Sequence, residues 1–335
     1  MRVLAGDIGG THARLAVVDI DKGHLRVVRI RSYDSASFAG LVPIVRDFIA
    51  RADDEKLERA CFGIACPVSD GECETPNLPW KVSVRELAVA IDVHGTRVIN
   101  DLHAAAFGIA RLDPEDLMTL QEGRAARHGV IAIVGAGTGL GQAFLVWDGA
   151  RYRTLASEGG HASFAPRNEL EWGLQRSISL QFGHVSCERV VSGPGLVSAY
   201  EYLAARDGAN GNPQVHAEVA EEGAPAVSRH ALGRSDGLCV AALDLFVSAY
   251  GAHAGDLALD VLATGGVYVV GGIAPAIADK LRDGIFMTAF RDKGRMEDLL
   301  VRIPVHVVMN PNVGLLGAAV AASEDTDRPD HAGAA

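Results

Sequence analysis

With 335 residues and 48% hydrophobic content, the chain can build about two domains with ample core, which excludes a largely disordered protein. Its 31 basic and 42 acidic residues give a formal charge of −11 without any Lys- or Arg-rich run, so nucleic acid is disfavoured as a partner and a small molecule is favoured. Asp256 and Asp260 interrupt the long alanine-rich segment, so no stretch is expected to reach the ~18 apolar residues of a membrane span. Met1-Arg2-Val3-Leu4 enters a strand without an apolar h-region, from which a cytoplasmic protein is expected.

The chain opens with β-rich runs at Val3 to Ile8, Ala13 to Ile20 and Leu25 to Tyr33, a predicted antiparallel meander. The first turn, Gly6-Asp7-Ile8-Gly9-Gly10-Thr11, is rich enough in glycine to adopt positive φ and aim backbone N–H groups at anionic oxygens. Thr11 adds a hydroxyl. Asp7 is the only charged side chain there and would repel phosphate unless a divalent cation intervened, which predicts Mg²⁺ beside it. A helix follows over Phe38 to Arg51, with Leu41, Ile44, Val45 and Phe48 on one face, then a strand over Ala60 to Ala65. Cys66 to Trp80 reads as a long loop, of a kind compact domains keep when it has a task. Val84 to Ile91 reads as helix and Thr96 to Ile99 as a buried strand. Asn100-Asp101 closes that strand and opens the helical run Leu102 to Ala110, placing both side chains at the strand edge where open α/β sheets bind ligands. By itself an aspartate there is commonly a helix cap. Opposite a phosphoryl donor it becomes a candidate base for a hydroxyl nucleophile.

Three strands, helix, strand, helix, strand, helix is the order of a ribonuclease-H-like half, and a second such run begins at Val130, so internal duplication is expected. Gly135-Ala136-Gly137-Thr138-Gly139-Leu140-Gly141 repeats the glycine turn between two apolar runs. Two phosphate-gripping turns imply a nucleotide cleft. Glu158-Gly159-Gly160-His161 brings a carboxylate and an imidazole together on a pliant turn suited to clamping vicinal hydroxyls, each of which must be paired when buried. Glu188 is a third acceptor, or simply a solvated helix residue. A zinc site at Glu158 and His161 is disfavoured because no cysteine pair completes four ligands. Helices are predicted at Glu169 to Phe182, Pro194 to Ala205, Val215 to Ala220 and Asp236 to Leu262, with Gly208 to Ala224 an exposed excursion. The strand Val267 to Val270 ends in Gly271-Gly272, whose close backbone could accept a flat adenine ring. After Val301 to Val308, a final helix opens near Asn312, where Gly314 and Gly317 would let it cross another closely. Five cysteines without a C-x-x-C pair are expected to be reduced and structural.

From about Val3 to Ala322 the chain resembles the bacterial glucokinases of the hexokinase, actin and Hsp70 superfamily. The first phosphate motif falls on Gly6, Asp7, Ile8, Gly9, Gly10 and Thr11, the second on the turn containing Gly137, Thr138 and Gly139, and the adenosine motif on Gly271 and Gly272. It lacks the cysteine cluster of the repressor/open-reading-frame/kinase branch and any helix-turn-helix extension, so that branch is disfavoured. The resemblance implies an α/β fold of two ribonuclease-H-like (actin-like ATPase) domains with mixed five-stranded sheets and an interdomain cleft. The implied small domain is 1–111 with 305–322, the large one 112–304, and 323–335 a flexible tail. It further implies ATP and Mg²⁺ as cofactors and transfer to D-glucose, the first step of glycolysis. Asn100 and Asp101 would hold the 4- and 6-hydroxyls, Glu158 and His161 the ring hydroxyls and Glu188 the anomeric side, with Asp101 as base and Asp7 reaching the metal indirectly through Mg-ATP. A homodimer is implied by the family. The alternatives are a kinase for another hexose or a silent sugar or nucleotide sensor of the same fold.

Overall fold

The computed structural model describes residues 1–51, 56–66, 68–69, 71–75, 78–206 and 212–324. The chain divides into two compact units, Met1–Asp113 with the C-terminal segment from Asn310, and Pro114–Met309. In the first unit the strands β1 (Arg2–Ile8), β2 (His12–Asp21) and β3 (His24–Asp34) form the expected meander. The helix α1 (Leu41–Ala50) buries Leu41, Ile44, Val45 and Phe48, the face that the spacing predicts. Next come β4 (Arg59–Ile64), the short ribbon β5 (Glu72–Glu74) and β6 (Lys81–Ser83), α2 (Val84–Ile91), β7 (Gly95–Asn100) and α3 (Asp101–Ile109). The five-stranded sheet runs β3-β2-β1-β4-β7, with β1, β4 and β7 parallel.

That sheet is covered on both sides, which is why its central strands read as continuous apolar runs. Leu4, Ile8, Val17 and Phe62 pack toward α1 and α2. Val3, Ala5, Ala16 and Cys61 pack against Leu315, Ala318 and Ala319 of the C-terminal helix Val313–Ser323. Gly317 does allow a close crossing, since a Cβ there would overlap the Ala104 carbonyl of α3. The crossing lies within the first unit. Gly314 instead faces the Asp7 carboxylate, which a Cβ would meet at 3.3 Å.

The second unit contains β8 (Leu117–Gln121), β9 (Ile131–Ala136), β10 (Leu140–Trp147), β11 (Tyr152–Ser157), and the helices α4 (Glu169–Phe182), α5 (Gly193–Arg206), α6 (Pro213–Glu222), α7 (Ala224–Leu232) and α8 (Gly237–Asp260). With β12 (Gly266–Val270) and β13 (Val305–Val308), the sheet order is β11-β10-β9-β12-β13-β8. It has six strands rather than five, because β8, antiparallel to β13, adds to the far edge. The last strand also belongs here and not with the N-terminal third: Val267 and Val305 are paired in register.

Three further expectations are corrected. The 24-residue α8 contains a window of mean hydropathy 1.4, long and apolar enough to cross a membrane despite its aspartates. It serves as the core helix, burying Leu243, Phe246, Val247, Tyr250 and Leu257. Gly208 to Ala224 is not wholly an excursion: Asn212 caps α6, which buries Val215 and Val219, while 207–211 lie outside the described residues. Cys66 and Cys73 are joined by a disulfide, because the β5–β6 ribbon folds back beside the end of β4; Cys61, Cys187 and Cys239 are free and buried. Of the expected tail, 325–335 lie outside the described residues.

Candidate active site

In the first unit the parallel register aligns Ile8 with Ile64 and Ile64 with Asn100. The Gly9-Gly10-Thr11 turn and Asn100-Asp101 therefore leave the same edge of the sheet, two strands apart, or about 10 Å at the usual interstrand spacing. Asn100 is the cap of α3, its side-chain oxygen accepting from the N–H groups of Leu102 at 2.9 Å and His103 at 3.3 Å. That oxygen is spent on the helix. Asp101 is the first helical residue, with Oδ1 accepting from the Leu102 N–H at 2.8 Å. Gly63 of β4 lets α3 settle closely, since a Cβ there would stand 2.7 Å from the Ala104 methyl.

The glycine turns differ from the expected nest. Neither turn has a glycine in the left-handed region, and two N–H groups close the turns themselves, Gly9 onto the His12 carbonyl at 2.9 Å and Gly137 onto that of Gly139 at 2.8 Å. What glycine supplies is space. Gly6 lies inside β1, where a Cβ would overlap the Phe62 ring, so its place is in core packing. Gly137 has open space where a Cβ would be.

Asp7 is paired across β1 and β2 with Arg14, whose guanidinium donates to Oδ2 at 2.8 Å. Burial pushes the Asp7 carboxyl above its ordinary range, and Arg14 works against that shift. Arg14 also donates to the Pro311 carbonyl at 2.6 Å, tying the turn to the approach of the C-terminal helix. Inspection of the motif alone missed Arg14, although counting both strands back from the turn places residue 14 opposite residue 7.

In the second unit the same plan recurs. Gly135 aligns with Val270 of parallel β12, so the turn at Gly137, Thr138 and Gly139 and the turn at Gly271-Gly272 leave one edge. Gly271 has φ +87°, and a Cβ on it would come within 2.6 Å of the Ala136 carbonyl. Two demands, conformation and proximity, thus require glycine there. Gly272 has open space.

Glu158, His161 and Glu188 are brought together. The segment after β11 pairs with 185–188 through Phe164 N–H to the Val185 carbonyl, Cys187 N–H to Ala162 and Glu188 N–H to Gly160, at 2.9, 2.8 and 2.9 Å. His161 consequently lies between two carboxylates, Nε2 3.8 Å from Glu158 and Nδ1 3.8 Å from Glu188. Glu158 and His161 are largely exposed, and Glu188 is about one-third exposed. Sequence spacing does not bring Glu188 to this turn; the backbone pairing does. Beneath this turn lies Gln142 of β10, bonded through Nε2 to Nε2 of His253 at 2.7 Å. Burial holds the His253 imidazole down to about 4. Neither residue has a sequence signal, as each reads as an ordinary strand or helix position. Among the described residues no group of three or more His, Cys, Asp or Glu side chains could hold a metal ion.

Two mixed-sheet units, each with a glycine turn at the end of its leading parallel strand, define an actin-like ATPase of the sugar-kinase class. Residues 4–325 match the Glucokinase family model. A glucokinase of Nostoc sp. (strain PCC 7120 / SAG 25.82 / UTEX 2576) is 42% identical, covering 96% of this chain and 98% of that protein. The chain belongs to the glucokinase family. The crystal structure of a glucokinase from an Antarctic psychrotroph superposes with a TM-score of 0.82 at 33% identity, covering 96% of this chain and 98% of that one. A repressor/open-reading-frame/kinase (ROK) family glucokinase from Streptomyces griseus, solved with glucose and AMPPNP, shares the fold at a TM-score of 0.65 and 22% identity over 96% and 99% of the two chains.

Proposed function

We propose that the chain transfers the γ-phosphoryl group of ATP to the 6-hydroxyl of D-glucose. The observation that supports this reading is the sheet edge shared by the first glycine turn and Asn100-Asp101, two strands apart, with a carboxylate on one side and a turn suited to phosphate on the other. Asn100 and Asp101 hold the 4- and 6-hydroxyls, Glu158 and His161 the ring hydroxyls, and Glu188 the anomeric side. Asp101 takes the proton of the 6-hydroxyl as its oxygen bonds to the γ-phosphorus and the bond to the ADP oxygen breaks. The turns at Gly9, Gly10 and Thr11 and at Gly137, Thr138 and Gly139 hold the phosphates, and Gly271-Gly272 the adenosine.

Mg²⁺, when bound with ATP, supplies neutralisation of the phosphate charge. Asp7 fits a water-mediated contact to it better than direct ligation, because Arg14 occupies Oδ2 and the described residues provide no cluster of further acidic ligands. Within the same reading the enzyme works as a cytoplasmic homodimer. Light scattering after gel filtration reads the mass.

The test is glucose 6-phosphate formation, followed by coupled NADPH production, beside ADP release with mannose, fructose and N-acetylmannosamine. Glucose-dependent NADPH with little ADP on the other sugars supports the reading. ADP release on another hexose changes the substrate, and silence on all of them leaves a sensor.

A further inference from the structure

Glu188 joins the sugar turn to the second phosphate turn. Its Oε2 accepts from the Leu140 N–H at 2.9 Å, at the foot of the turn formed by Gly137, Thr138 and Gly139. Its other oxygen lies 3.8 Å from His161 Nδ1, and its own N–H donates to the Gly160 carbonyl at 2.9 Å. The packing is equally close. A Cβ on Gly139 would overlap the Glu188 carboxylate, and one on Gly160 would overlap the Leu140 carbonyl. Farther along, the Gly193 N–H donates to the Gly137 carbonyl at 2.8 Å, so the chain leaving Glu188 is fastened to the same turn.

We infer that Glu188, beyond binding the sugar, couples the two ligands: a sugar hydroxyl bonded to its carboxylate orders the phosphate turn, and a nucleotide on that turn orders the carboxylate for sugar. The inference rests on the proposed function and deepens it. One carboxylate with a fixed donor on one side and an imidazole on the other has few positions to choose from. Whichever ligand arrives first bears the ordering cost for both, which makes the second bind more tightly. The coupling must be reciprocal, since each ligand changes the other's affinity by one common factor.

Gly139→Ala isolates this link. Gly139 is not in the left-handed region, and the atom its new methyl would strike is the far end of a flexible side chain, so the fold can accommodate alanine by displacing the Glu188 carboxylate. Glucose binding is measured by calorimetry on the full chain without nucleotide, then with AMPPNP. The wild type is expected to bind glucose at least about fivefold more tightly with AMPPNP, the lower range of site-to-site coupling. The variant, altered only in a nucleotide turn, should bind glucose roughly tenfold more weakly with no nucleotide present, as expected for one lost charge-assisted hydrogen bond. Its AMPPNP effect should vanish.

Glu188→Gln reads the link from the other side by weakening AMPPNP binding in the absence of glucose, and it serves if Gly139→Ala does not fold. Glucose binding by the wild type with no AMPPNP effect, or wild-type glucose affinity in Gly139→Ala, overturns the coupling and leaves the kinase reading intact. A wild type that binds no glucose overturns the kinase reading first.

Discussion

The two sheet edges share a plan and differ in what they carry. In each, an antiparallel hairpin turns on glycine and a parallel neighbour ends beside it, Ile64 and Asn100 in the first unit, Val270 in the second. The first edge is loaded with acid and amide groups: Asp7, Asn100 and Asp101. The second has no charge in its turn and gains carboxylates only from the segments folded over it, Glu158 and Glu188. On the proposed function, the first edge would carry the chemistry and the second would hold the ligands. The strands keep the frame, and the residues at their C-terminal ends set the division.

Removing one group from each edge should separate the two roles. Asp101→Ala is expected to lower kcat by about 10³-fold, in the middle of the range for general-base catalysis, with glucose binding still measurable by calorimetry. Glu158→Ala should instead act mainly by raising the KM for glucose. A substitution at Asp101 that spared kcat would erase the distinction. A second effect is confined to the first edge. Arg14→Leu leaves the Asp7 carboxylate unpaired, which should cost about 2 kcal/mol, between the cost of breaking a buried ion pair and the worth of a surface one. Because the folded-state pKa of Asp7 is raised, the native state holds its proton more tightly than the unfolded chain, and ionisation costs stability as pH rises above the unfolded value. Loss of Arg14 widens that window. The deficit of the variant should therefore shrink as pH falls from 7 toward 4, read as the difference in melting temperature from wild type.

The cysteines also differ in state: Cys66 and Cys73 of the first unit are bonded, whereas Cys61 of that unit and Cys187 and Cys239 of the second are free. Cys66→Ser should lower stability by about 2 kcal/mol, the small value appropriate to a short closed loop. Added reductant should lower the wild type to the level of the variant. Equal melting with and without reductant would mean that the thiols are already reduced, as the sequence reading expects for a cytoplasmic protein.

Much of this plan is legible in the sequence alone. The apolar runs that end in glycine marked β1 and β9, and Asn100-Asp101 stood out because a buried strand stops there and a helix begins. The misses share a cause. Arg14, Gln142 and His253 act through partners fixed by sheet register or helix packing, and no local pattern reports a contact 111 residues away, such as that of Gln142 with His253. β8 escaped because a single edge strand of five residues carries too little periodicity, and β13 was misplaced because pairing, not sequence order, decides which sheet a strand joins. Counting cysteine motifs speaks against the Cys66–Cys73 bond, which depends on a ribbon that folds back beside the end of β4.

The smallest effect tests how far the second edge depends on what lies beneath it. Gln142 is 4% exposed, and a Cβ on Gly159 would overlap its side-chain oxygen, so the amide forms the floor of the Glu158 to His161 turn. His253 is held neutral by burial, so its Nε2 accepts from the Gln142 NH₂, and the amide oxygen is thereby directed toward Gly159. Gln142→Leu keeps the volume but removes both the donor and the oxygen. It should raise the KM for glucose by about fivefold, the loss of one ordinary hydrogen bond, while kcat stays close to wild type because Asp101 is untouched. His253→Phe should produce the same shift, since it frees the amide to rotate. If either variant lowered kcat as Asp101→Ala does, the floor of the turn would belong to the chemistry, and the two edges would not divide the work as their residues suggest.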